Sequence, residues 1–263
     1  MERMKPFRLS DTLAAIERLA PPEGAAEWDN TGLLIEANTA DVRRILLTLD
    51  LTAPVAREAI RTKADLIVAY HPPIFSGLRS LTRNDPVAAP LLDLVAHGIS
   101  VYSPHTALDA AEDGLSDWLC DPFTNATREE DEGSGRLLHL RPAHTLVELS
   151  QILQKHLRLP YLRIASPPGR SRKIKTLALC PGAGASVLKE LDADAVFTGE
   201  MKHHDILAFQ KRGVHVLLSE HGHTERPYLR ILKKRMLSLL PDGVRVEVSK
   251  RDREPLTLVR PHA

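Results

Sequence analysis

The chain switches repeatedly between apolar residues at helical spacing and short unbroken apolar runs, the pattern of buried strands separated by helices. Leu13, Ile16 and Leu19 recur at helical spacing in LSDTLAAIERLAP, with Ser10 expected to cap the first turn and Pro21 to stop the helix. The segment EWDNTGLLIE reads as a loop. RRILLTLDL (residues 43–51) then reads as a strand, APVAREAIRT as a helix and ADLIVAY as a second strand. DPVAAPLLDLVAHG predicts a helix closed by Gly98 in the left-handed position after its last turn, and ISVYS (residues 99–103) another strand. Such alternation favours a largely parallel sheet with helices on its faces.

From Asp121 to Gly135 the periodicity stops, and the polar, mostly acidic stretch DPFTNATREEDEGSG marks a boundary. Beyond it, RLLHL, YLRIA and IKTLALC read as strands and TLVELSQILQKHL as an amphipathic helix. SPPGRSRK reads as a basic turn whose Arg170, Arg172 and Lys173 are expected to be solvated. ASVLKEL, AVFTGE, HHDILAFQKRG, VHVLLSE and TERPYLRILKKRMLSLL continue the alternation, and VRVEVS closes it as a strand. The expected fold class is α/β, with a discontinuous first lobe of residues 1–122 and 213–263 and an inserted second lobe of residues 133–212.

Composition changes this picture little. A length of 263 residues suits two lobes at ~100–200 residues per domain. With 35 Lys+Arg against 34 Asp+Glu, the net charge of +1 argues against nucleic acid as a partner. Cys120 and Cys180 form no C-x-x-C pair, which argues against a disulfide framework and a thiolate metal site. No apolar run approaches the ~20 residues of a membrane helix, so the expectation is a cytoplasmic chain with no membrane partner.

In open α/β sheets, ligands collect outside the carboxyl ends of the strands. Here those ends carry His71 after DLIVAY, His105 and Asp109 after ISVYS, and His221, His223 and Glu225 after VHVLLSE. His105 to Asp109 and His221 to Glu225 share the i, i+4 spacing that puts both side chains on one face of a helical turn. Imidazole and carboxylate together suit a divalent ion of zinc, iron, manganese, cobalt or nickel and argue against calcium. Pro72 and Pro73 remove two backbone donors and hold Tyr70 and His71 extended, which would make the imidazole rigid. PGAGAS (residues 181–186) reads as a tight turn, and Glu200 or His204 in TGEMKHHD as a proton carrier or a helix cap.

WDNTGLL, YHPPIF, HTALD, TGEMKHHD and GHTE, taken together and in this order, resemble the GTP cyclohydrolase I type 2 homolog family, the Nif-three-like proteins. The resemblance runs nearly end to end. It implies two interlocked α/β lobes, a toroidal homohexamer built as a trimer of dimers, and a two-metal site facing its inner cavity. By position it implies His71, Asp109, His221 and Glu225 as ligands, with Glu225 bridging. Where many bacterial members have two adjacent histidines, this chain has Tyr70 and then His71, the form that resembles the eukaryotic branch. The expectation is therefore one or two divalent ions per chain, with His105 as a further candidate ligand.

Metal-assisted hydrolysis needs an activated water and a group that moves protons. With the four ligands above, His105 or Glu200 is the expected catalytic proton carrier, and the expected substrate is a nucleotide or other small molecule. The competing expectation is a hexameric scaffold with a structural or stored metal and protein partners, since the eukaryotic branch is named for interaction with a transcriptional regulator.

Overall fold

A computed structural model describes residues 7–129, 133–169, 173–257 and 259. Arg170 and Arg172 of the basic turn lie outside the described residues, as do Glu130, Asp131 and Glu132 of the acidic stretch.

Two mixed sheets face one another. The first runs in the order Arg245–Val248, Arg44–Thr48, Leu66–Ala69, Ser100–Ser103, Gly32–Ile35. Its first four strands are mutually parallel, and Gly32–Ile35 pairs antiparallel to Ser100–Ser103 at one edge. That edge strand lies inside the segment expected to be a loop. Its few apolar residues follow a glycine at φ +100°, so neither its length nor its pattern announces a strand. The second sheet runs Thr127–Arg128, Arg136–His144, Ile174–Leu179, Ala195–Thr198, His215–Leu218, Arg163–Ala165. Its three central neighbours are parallel, and the flanking strands antiparallel.

The strand His215–Leu218 belongs to this second sheet, between Ala195–Thr198 and Arg163–Ala165. The return to the first sheet therefore comes after Leu218, later than the boundary expected at residue 213. An all-apolar strand fits either sheet by pattern, and only its neighbours decide.

Strand alternation explains the layers. Ile45, Leu47, Leu66 and Val68 of the first sheet, and Leu138, Leu177, Phe197 and Leu217 of the second, point into one shared core. The helices Leu9–Glu17, Leu146–Leu157 and Leu229–Leu239 contribute Ile16, Leu149, Leu153, Leu232 and Met236 to it. The opposite faces carry Leu46, Ile67 and Val101 under the helices Ala53–Thr62 and Ala88–Ala96, and Val196 and Val216 under His203–Lys211. Burial on both faces is why these strands read as unbroken apolar runs.

Local chemistry sets several ends. Thr145 and Glu148 form a reciprocal capping box at the start of Leu146–Leu157. Gly98 takes φ +69° after Ala88–Ala96. Ser10 is not a cap: the first helix begins at Leu9, after Arg8, and the Thr12 hydroxyl donates to the Arg8 carbonyl at 3.1 Å.

Candidate metal centre

The parallel strands of the two sheets deliver their carboxyl ends to one place. Leu66–Ala69 runs out into Tyr70 and His71, while His215–Leu218 runs through Ser219 and Glu220 into a helical turn, His221–Glu225. Across a separation of 150 residues, His71 Nε2 and His221 Nε2 come within 3.3 Å. Glu225 Oε1 lies 3.2 Å from His221 Nε2, and Glu225 Oε2 lies 3.5 Å from His71 Nε2. Each of the three offers one ligand atom to a single point. The i, i+4 spacing of His221 and Glu225 works as a helical turn requires.

Each imidazole is held from behind by a carboxylate. His71 Nδ1 bonds Asp50 Oδ1 at 2.8 Å, and His221 Nδ1 bonds Glu200 Oε1 at 2.9 Å. With Nδ1 donating to the carboxylate, Nε2 keeps its lone pair for a metal, the usual outer arrangement of a histidine ligand. Arg226 reaches Asp50 Oδ2 at 3.4 Å while also pairing Asp252 and Glu254 at 3.2 and 2.6 Å, which ties the C-terminal segment to the back of the site.

The two imidazoles and the carboxylate shift one another's protonation. Burial would lower the pKa of His71, but hydrogen bonds to Asp50 and Glu225 raise it to about 10. The hydrogen bond to Glu225 raises His221 to about 9 against the opposing effect of burial. Burial opposes ionisation of Glu225, and the two imidazoles overcome it, holding the carboxyl below its ordinary range. Glu225 is 3% exposed, and the approach of its Oε2 to His71 Nε2, at 3.5 Å, is too long for a well-formed hydrogen bond.

The second i, i+4 pair behaves differently. His105–Ala110 is a helical turn, but its first residue sits at φ +29°, and its two candidate ligands face other partners. Asp109, 5% exposed, accepts from the Tyr70 hydroxyl at 2.5 Å and stands outside the three-residue group. Burial pushes its carboxyl up to about 7. His105 Nδ1 bonds Asp29 Oδ1 at 2.7 Å, and its ring centroid lies 5.5 Å from that of His71. Burial lowers the pKa of His105 more than Asp29 raises it. His223 turns to the Ser219 carbonyl.

Asp29, Asp50 and Gly182 were not singled out from the sequence. Asp29 and Asp50 follow no motif of spacing, although Asp50 lies two residues beyond the strand Arg44–Thr48. Gly182 sits in the PGAGAS turn at φ +59°, where a Cβ would lie 2.5 Å from Glu225 Oε1 and 3.0 Å from His221 Nε2. Its amide donates to Thr224 Oγ1 at 2.9 Å, and its carbonyl accepts from the amide of Glu200 at 2.9 Å. The turn therefore forms a wall of the site, and its glycine leaves the room a ligand would fill.

The sequence pattern of Duf34/NIF3 (NGG1p interacting factor 3) matches residues 7–255. The chain belongs to the DUF34/NIF3 family. A fission yeast relative, "Protein NIF3 homolog" of Schizosaccharomyces pombe, is 43% identical, over 92% of this chain and 95% of its own. "NGG1-interacting factor 3" of Saccharomyces cerevisiae is 37% identical, over 95% and 97%. Among solved structures, a Bacillus cereus protein related to NIF3 superposes with a TM-score of 0.83 at 18% identity, covering 97% of this chain and 100% of that one. Reduced HcgD from Methanocaldococcus jannaschii gives 0.80 at 24% identity, covering 94% and 99%. These likenesses establish the α/β family fold.

Proposed function

We propose that this member of the family binds one divalent first-row metal ion per chain through His71, His221 and Glu225, and that the ion serves hydrolysis of a nucleotide or other small-molecule substrate. The observation that carries this reading is the convergence of three ligand atoms whose imidazoles are each backed by a carboxylate. A buried carboxylate with one oxygen 3.5 Å from His71 Nε2 and the other 3.2 Å from His221 Nε2 fits a cation, as does the glycine wall beside it. Three protein ligands leave a coordination position open, the signature of a catalytic rather than a closed structural site.

When bound, such an ion supplies Lewis-acid polarisation and an activated water. His105 is the proton carrier: its Nδ1–H donates to Asp29 Oδ1, and a pKa held below the ordinary imidazole range leaves Nε2 free to accept a proton at neutral pH. Glu200 orients His221, which replaces its expected role as a proton carrier. Tyr70 keeps Asp109 occupied, and this favours one ion over the two that the resemblance implies. Glu200 also lines a cavity of about 530 Å³ with Ser186, Lys189 and Lys202, room enough for a small substrate.

A second reading rests on the budding yeast relative, whose name says it interacts with NGG1. On that reading the chain is a scaffold, in the hexameric ring the resemblance implies, and its metal is structural or stored. The deciding measurement is metal content per chain by plasma mass spectrometry, on protein never exposed to a nickel column. One ion per chain in the wild type, lost in His221→Ala and Glu225→Ala, supports the metal centre and opens a hydrolase screen. No metal as purified, and none taken up on reconstitution, sinks the catalytic reading and leaves the scaffold.

A further inference from the structure

Two large aromatic side chains stand exposed at the rim of the candidate metal centre. Trp28 is 64% exposed and Phe75 is 56% exposed. Their ring centroids lie 6.0 Å apart with planes tilted by 60°, and both rings meet His105, at 6.1 and 6.4 Å. His105 in turn lies 5.5 Å from the His71 ring. Trp28 is thus one imidazole away from a candidate metal ligand.

The backbones beneath these rings are held firmly. Asp29 accepts from the Asn30 amide at 2.8 Å, from the Thr106 amide at 3.1 Å, and from the Thr106 hydroxyl. The Ala26 amide donates to Thr106 Oγ1 at 3.0 Å, and the Asn30 side chain donates to the Ile74 carbonyl, one residue before Phe75. The same aspartate that orients His105 therefore also anchors the loop of Trp28. Exposing two such rings on an anchored backbone forgoes the burial that aromatic side chains normally find, which marks a surface kept open for a ligand.

We infer that Trp28 and Phe75 form a stacking subsite for a planar aromatic ring, so that the substrate is a nucleotide or a comparable heteroaromatic molecule. This rests on the metal-dependent reading above and names the class of its substrate. A ring stacked on Trp28 would lie beside His105, whose own ring is 5.5 Å from that of His71. Stacking tolerates any base because every base has a π face, so the subsite sets the class of ligand and not its identity.

The test titrates zinc-loaded wild type, Trp28→Ala, Trp28→Phe and Phe75→Ala calorimetrically with adenosine, guanosine and cytidine 5′-monophosphates. Ribose 5-phosphate is the control that lacks a ring. At least one nucleotide is expected to bind about tenfold or more tightly than ribose 5-phosphate, a margin lost in Trp28→Ala, reduced in Phe75→Ala and partly kept in Trp28→Phe. Metal content is expected to be unchanged in all three variants. The inference is overturned if no nucleotide outbinds ribose 5-phosphate, or if Trp28→Ala keeps the margin. A smaller particle mass in Trp28→Ala by light scattering, with the margin untouched, assigns the patch to contact between copies of this chain and also overturns it. The titration is repeated without metal. A ring preference there, in a protein that takes up no zinc, sinks the metal reading and leaves the stacking subsite standing.

Discussion

Gly182→Ala separates the metal site from the fold. The added methyl would lie 2.5 Å from Glu225 Oε1, where ordinary contact begins at 3.4 Å, so the carboxylate oxygen must retreat by about 0.9 Å. Metal–ligand distances tolerate only about ±0.2 Å, so that retreat takes Glu225 Oε1 out of coordination range. The methyl also closes to 3.0 Å on His221 Nε2, a second ligand atom. Loss of an outer-shell partner alone costs ~10–100-fold in metal affinity, and displacing a ligand itself should cost at least ~100-fold. The fold is affected far less. Holding alanine at φ +59° costs about 1–2 kcal/mol, and the displaced group is the end of a side chain. At roughly 2–4 °C per kcal/mol for a chain of this size, the melting temperature of metal-free protein should fall by only a few degrees. Zinc affinity measured by chelator competition, beside a melting curve of the metal-free protein, reads both effects. Affinity within about threefold of wild type would show that nothing binds in the space Gly182 leaves, and would refute the assigned centre.

Asp50→Asn keeps the shape behind His71 but removes the carboxylate its Nδ1–H donates to, so zinc affinity should fall ~10–100-fold and the metal-free protein should melt at a lower temperature near neutral pH; unchanged affinity would remove Asp50 from the site. Tyr70→Phe leaves buried Asp109 without its 2.5 Å donor and should cost ~1–3 kcal/mol in urea denaturation, while an unchanged midpoint would mean that another group satisfies the carboxyl. The raised values of His71 and His221, about 10 and about 9, set a pH dependence. Their stabilisation of the metal-free protein is complete below the unfolded imidazole value of ~6.5 and is lost as pH rises through about 9 to 10, so its melting temperature should drop across that window. Zinc must displace the same protons, so its affinity should climb with pH, by up to ~100-fold per unit while both are present; a flat profile between pH 6.5 and 8.5 would contradict the protonated cluster.

By itself, the sequence determined what is local and periodic. Buried strands read as apolar runs because both faces of each sheet are covered, and His221 with Glu225 was legible as a pair because one helical turn brings i and i+4 together. His71 was legible because it stands just beyond the apolar strand Leu66–Ala69 and is followed by two prolines. Tertiary structure alone decided the partners. The same i, i+4 spacing brings His221 and Glu225 to one ligand group, while His105 bonds Asp29 and Asp109 bonds Tyr70, partners distant in the chain. The backing carboxylates, the glycine wall and the Trp28–Phe75 rim are likewise meetings of segments far apart in the chain, and no period in a sequence encodes which loop will lie opposite which. The edge strand Gly32–Ile35 and the sheet membership of His215–Leu218 escaped for the same reason: a strand's pattern says that it is buried, and only hydrogen-bonded neighbours say where.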